Sequence, residues 1–87
     1  MAWTEGNGRL TVRLRFVDFK AAFHFMQQVA EIAEAQGHHP AWSNVYNLVE
    51  ISLTTHDSGD QLTSKDYALA EAISALSMFK TAKVEAL

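Results

Sequence analysis

The chain has no cysteine, one proline and four glycines among 87 residues. Without cysteine there is no disulfide to staple a small fold, and no cysteine cluster for zinc. Positive charge is also scarce: seven Lys and Arg stand against ten Asp and Glu, a formal net charge of -3. No run of basic residues is present to attract a phosphate backbone, so direct nucleic-acid binding is not expected. Long apolar stretches are missing too. Nothing approaches the roughly 18 residues that cross a bilayer, and the start lacks the basic-then-apolar pattern of a signal peptide, so no membrane association and a cytoplasmic location are expected. Finally, there is no G-x-G-x-x-G, P-loop or G-x-S-x-G, which leaves nucleotide binding and serine catalysis without a signature.

What remains is 48% hydrophobic residues in a chain long enough for one modest core. The expected organisation is a single domain over residues 1–87. So small a core makes a homodimer or homotetramer a reasonable expectation.

From Arg9 to Phe16 the sequence alternates, with Leu10, Val12, Leu14 and Phe16 on one side and Arg9, Thr11, Arg13 and Arg15 on the other. That is a half-buried strand. Gly6-Asn7-Gly8 before it is turn chemistry, so residues around Trp3 can form a short hairpin partner. Asp18 can cap a helix whose apolar stripe is Phe19, Ala22, Phe23, Met26, Val29, Ala30 and Ala33, ending at Gly37. Phe25 and Ile32 fall outside that stripe, which predicts surplus apolar surface for a neighbouring subunit.

A second strand is expected from about Asn44 to Thr54, with Asn47 on its apolar side either partnered at the core edge or marking an irregularity. The polar segment His56 to Gln61 leads into a second helix. Thr63 and Asp66 resemble a capping box, Leu62 and Tyr67 a hydrophobic staple, and Leu69, Ala70, Ile73 and Leu76 the buried stripe. The tail after Phe79 is expected to fray. The order implies an α+β fold, a two-layer sandwich with a small antiparallel sheet and helices packed on one face.

His38, His39 and His56 flank the second strand. Pro40 favours an extended His39, so the two adjacent imidazoles point apart and can address different atoms. The alternative is a polar loop with surface histidines. On extended geometry a ten-residue strand spans roughly 33 Å, which would hold His38 and His56 far apart unless the loop folds back or a neighbouring chain completes the site. Glu34 lies one helical turn before His38, but adjacent histidines rarely chelate one ion, and no metal site is expected. His24 reads as an ordinary helix-surface residue.

The stretch His38-His39-Pro40-Ala41-Trp42-Ser43-Asn44-Val45-Tyr46-Asn47, followed by Thr55-His56-Asp57, resembles the pterin-4a-carbinolamine dehydratase family. The longer pattern is met by Glu34 before the histidine pair, the aromatic Tyr46, the later His56 and Asp66 in the next helix. The resemblance covers roughly Trp3 to Leu76. There are two departures: the helix that usually precedes the tryptophan is absent, and Ser58-Gly59-Asp60-Gln61 is longer and more polar than the family's usual glycine-containing turn.

The resemblance implies elimination of water from a 4a-hydroxy-tetrahydropterin, without a cofactor, as in recycling of tetrahydrobiopterin. By similarity His38 and His56 would be proton-transfer groups and His39 chiefly substrate-binding. Glu34 would orient His38. Trp42 could pack on the pterin, although core packing suits it equally, and Pro40, Thr55, Asp57 and Ser58 complete the implied substrate site. Asp66 belongs to the pattern, but its capping role explains it first. Because animal relatives also act as dimerisation partners of a homeodomain activator, the competing function is a non-enzymatic coactivator module.

Overall fold

A computed structural model describes residues 2–87. Strand β1 (Thr4–Gly6) turns through Asn7-Gly8 into β2 (Arg9–Arg15), and helix α1 (Phe19–Gln36) follows. Both turn residues have positive φ, 54° and 72°, the left-handed pair that a two-residue hairpin matched to strand twist requires. Strands β3 (Ala41–Val45) and β4 (Leu48–Leu53) come next, then a 3-10 turn (His56–Ser58), helix α2 (Ser64–Ser74), short helix α3 (Ser77–Thr81) and strand β5 (Lys83–Glu85).

All pairings in the five-stranded sheet are antiparallel, in the order β1-β2-β4-β3, with β5 sharing with β1 the outer edge of β2. The alternation of β2 sets the register. Leu10, Val12 and Leu14 stand opposite Leu53, Ile51 and Val49, and all six are buried on the helix side. On the other face Arg13 forks onto Glu50 at 2.6–2.9 Å. The expected α+β fold with helices over one face of a small antiparallel sheet is therefore what the chain adopts.

Four expectations are corrected. The strand expected over residues 44–54 is instead a hairpin of β3 and β4, reversing at Tyr46-Asn47, with Tyr46 at φ 53°. Asn47 marks the irregularity: its amide donates to the Phe16 carbonyl and its side-chain oxygen accepts from Arg15.

The core face of α1 is Ala22, Phe25, Val29 and Ala33, so Phe25 is fully buried while Phe19 and Phe23, placed in the stripe by periodicity, are about half exposed. Both faces are apolar, and only the sheet's position decides which is covered. The tail does not fray, because β5 pairs with β2 over Arg13–Arg15. Tyr67 of the expected staple is exposed, and its hydroxyl donates to Glu5 at 2.7 Å. No helix among the described residues is long and apolar enough to cross a membrane.

Candidate active site

The hairpin brings the histidines together. Because β4 runs back antiparallel to β3, its end lies beside the start of β3, so residues after Leu53 return to the loop that follows α1. His38, His39 and His56 thus line one cavity of about 250 Å³, with Gly37, Thr54, Thr55, Asp57 and Lys65. The separation expected from one extended strand does not arise, and no neighbouring chain is needed to bring these groups together.

Each histidine is placed by local backbone chemistry. At the end of α1, Gly37 takes φ 65°, its N–H bonds to the Glu34 carbonyl at 3.2 Å, and the His38 N–H bonds to that of Ala33 at 3.1 Å. This double closure is the Schellman geometry for which glycine is suited, and it fixes where His38 leaves the helix. His56 opens the 3-10 turn after β4, closed by Gly59 at φ 73° and tied at its base by the Thr55–Gln61 bridge.

Beneath His38 lies a buried polar chain. His38 Nε2 is 2.6 Å from Asp66 Oδ1, and Asp66 is fully buried. Asp66 Oδ2 accepts from the Thr55 hydroxyl at 2.7 Å and from the Thr63 N–H at 2.9 Å. With the Thr55 proton committed to Asp66, the 2.8 Å contact between the two threonine hydroxyls must have Thr63 as donor. The Thr63 oxygen also accepts from the Lys65 N–H, closing the expected cap of α2.

Burial alone would push the Asp66 carboxyl up, but the hydrogen bonds from His38, Thr55 and Thr63, with the charge of His38, hold it below the ordinary carboxylate value. An ionised Asp66 can only accept, so His38 Nε2 carries a proton whether the ring is charged or neutral, and in the neutral ring Nδ1, without a hydrogen-bond partner among the described residues, is the nitrogen that can take one up. Capping therefore does not account for Asp66 by itself.

The other expected residues are distributed unevenly. Glu34 does not reach His38; its carboxylate is 3.4 Å from His39 Nε2, both groups exposed. Trp42 pairs across the sheet with Ile51 and packs against the core, away from the cavity lining. Pro40 and Ser58 do not line the cavity either, whereas Thr55 and Asp57 do.

Three contributors were missed. Lys65 reaches the cavity from the first turn of α2, Thr63 completes the chain to Asp66, and Asp60 lies 2.7 Å from His56 Nδ1. The spacing of His56 and Asp60, four residues, was the available signal for the last. A larger groove of about 600 Å³ beside Phe19, Phe23 and Met78 is mainly apolar, and among the described residues it holds only His24 of the histidines and no paired proton-transfer groups.

A sequence profile of the family described as pterin 4 alpha carbinolamine dehydratase matches residues 1–76. A protein of Solibacter usitatus provisionally named pterin-4-alpha-carbinolamine dehydratase is 52% identical over 75 residues, 86% of this chain and 78% of its own. A Rhodospirillum rubrum protein with the same provisional name is 56% identical over 73 residues, 82% of this chain and 75% of its own. Among solved structures, the crystal structure of a transcriptional coactivator/pterin dehydratase from Brucella melitensis superposes with a TM-score of 0.79 at 38% identity, covering 85% of this chain and 80% of that one.

Proposed function

The chain belongs to the pterin 4 alpha carbinolamine dehydratase family, and we propose that its histidine cavity eliminates water from a 4a-hydroxy-tetrahydropterin to give the quinonoid dihydropterin. The observation that carries this reading is the convergence of His38, His39 and His56 on one cavity, with the inner imidazole held by a buried carboxylate.

The elimination breaks the C4a–O bond, adds one proton to the departing hydroxyl and takes one from N5. One group must give a proton and another accept one near neutrality, which is what imidazole does without a metal or cofactor. His38 is suited to take the N5 proton at Nδ1, because its Nε2–H is fixed on Asp66 and the charge that develops on the ring faces that carboxylate. His56, solvent-exposed on the outer rim, is suited to give the proton to the hydroxyl and recover one from water. His39, which shares the cavity, binds the substrate; Thr55 and Asp57 offer polar groups for its edge. Positioned acid-base groups of this kind supply roughly 10²–10⁴-fold. Recycling of tetrahydrobiopterin is the role this chemistry would serve.

Stopped-flow absorbance of a synthetic 4a-hydroxy-tetrahydropterin tests the reading. The chain should accelerate dehydration well above the buffer rate, and a rate equal to buffer ends the proposal.

A second reading draws on Val17, Phe19 and Phe23, which are exposed beside the apolar groove. Such a surface supports self-association as a homodimer or homotetramer, or a coactivator contact with a helical partner. Sedimentation separates these: self-association appears with the chain alone, a coactivator role only as a new assembly on mixing.

A further inference from the structure

The two imidazoles assigned to proton transfer are held by carboxylates in different ways. His38 is fixed from within, through Nε2, by buried Asp66. His56 is solvent-exposed, and its Nδ1 lies 2.7 Å from Asp60 Oδ1. Asp60 lies in the polar Ser58-Gly59-Asp60-Gln61 segment.

The backbone holds that carboxylate in place. Asp60 is at φ 57°, a left-handed conformation that aspartate tolerates better than most residues. Its carbonyl also abuts the β1–β2 turn: a Cβ on Gly8 would collide with the Asp60 carbonyl oxygen, which leaves no room for any side chain there. Gly8 is anchored in turn, its carbonyl accepting from the Thr54 hydroxyl at 2.8 Å. The turn before β2 is therefore a fixed seat for the loop that carries Asp60.

We propose that Asp60 is a positioning residue for His56. Its carboxylate accepts the Nδ1 proton, so the proton the charged ring gives up is the one on Nε2 and the neutral tautomer left behind keeps its proton on Nδ1. The partner of one ring nitrogen decides which nitrogen is free, and here the two histidines are set to opposite choices, Nδ1 for His38 and Nε2 for His56. An exposed pair contributes little to stability, so the effect is on tautomer and orientation rather than on folding.

The consequence for turnover rests on the dehydratase reading; the tautomer does not. Asp60→Gly removes the carboxylate while allowing the positive φ, and Asp60→Asn restores an acceptor oxygen in a residue that also tolerates it. ¹⁵N chemical shifts of the neutral His56 ring should show the proton on Nδ1 in the unmodified chain, on Nε2 in Asp60→Gly, and back on Nδ1 in Asp60→Asn. Gly8→Ala, whose Cβ would press on the Asp60 carbonyl and shift the loop while leaving the carboxylate in the chain, should weaken the same preference. In dehydration assays Asp60→Gly should lower kcat about tenfold, a part of the acid-base contribution, with KM little changed. A tautomer unaltered by Asp60→Gly, or already on Nε2 in the unmodified chain, overturns the proposal. Tautomer shifts in a chain that does not accelerate dehydration would uphold Asp60 as the positioning residue and overturn the dehydratase reading instead.

Discussion

His38 Nε2 and Asp66 Oδ1 lie 2.6 Å apart although 28 residues separate them in the chain. Asp66 is the third residue of α2, and its other oxygen caps that helix through the Thr63 N–H. One carboxylate thus ties the start of α2 to the residue that leaves the end of α1, so the elements that form the core also set the ring facing the cavity.

Replacing Asp66 should therefore disturb fold and site together. Asp66→Asn would turn an amide NH₂ toward donors on one side, and loss of a partner in a buried network costs about 2–4 kcal/mol, read as a lowered urea midpoint at pH 7. The pH dependence has a definite sign. The Asp66 carboxyl is held below its ordinary value of 3.8 in the folded chain. Its contribution is then present above that value and lost as the pH falls through the lower, folded one. Urea midpoints of the unmodified chain should fall more steeply below about pH 4 than those of Asp66→Asn.

The histidines should separate by kinetic parameter. His38→Ala and His56→Ala are expected to lower kcat about 100-fold each, the low end of what a general acid or base contributes. His39→Ala should mainly raise KM. Stopped-flow turnover gives the rates, and far-UV circular dichroism checks that each variant is folded.

Which parts of this were readable in the sequence follows from the range of the forces involved. The alternation of Arg9 to Phe16 and the Asp18 and Thr63 caps are local, and each forms as expected. The fate of residues 83–85 depends on the free edge of β2, some 70 positions earlier, and nothing in Lys83-Val84-Glu85 announces it. The histidine set was legible as a pattern, yet its geometry was not, because that depends on a reversal at Tyr46-Asn47 that lacks the usual Asn-Gly or Asp-Gly signal. The partner of His38 was misread for a related reason. Glu34 is near in sequence, but Asp66 is near in space.

The corrected face of α1 gives a contrast between two phenylalanines. Phe25 is fully buried and its ring lies 4.9 Å from that of Phe16, so Phe25→Ala should cost about 3–5 kcal/mol in urea unfolding. Phe23 is half exposed beside Phe19, and Phe23→Ala should cost under about 1 kcal/mol within a single chain. If the exposed face joins subunits, Phe23→Ala should instead reduce the sedimenting mass.

The hairpin that assembles the site can be tested at its own turn. Tyr46 adopts φ 53° with its side chain exposed, so it occupies left-handed space with no burial to offset the cost. That conformation costs an ordinary L-residue about 1–2 kcal/mol, less for asparagine and more for a β-branched side chain. Tyr46→Asn should therefore raise stability by about 0.5–1 kcal/mol, whereas Tyr46→Val should lower it by a similar amount. A continuous strand through residue 46 would demand the opposite order, because valine favours extended backbone and asparagine does not. Urea midpoints of the two variants, measured side by side, thus decide whether the chain reverses at Tyr46, the reversal on which the meeting of His38 and His56 depends.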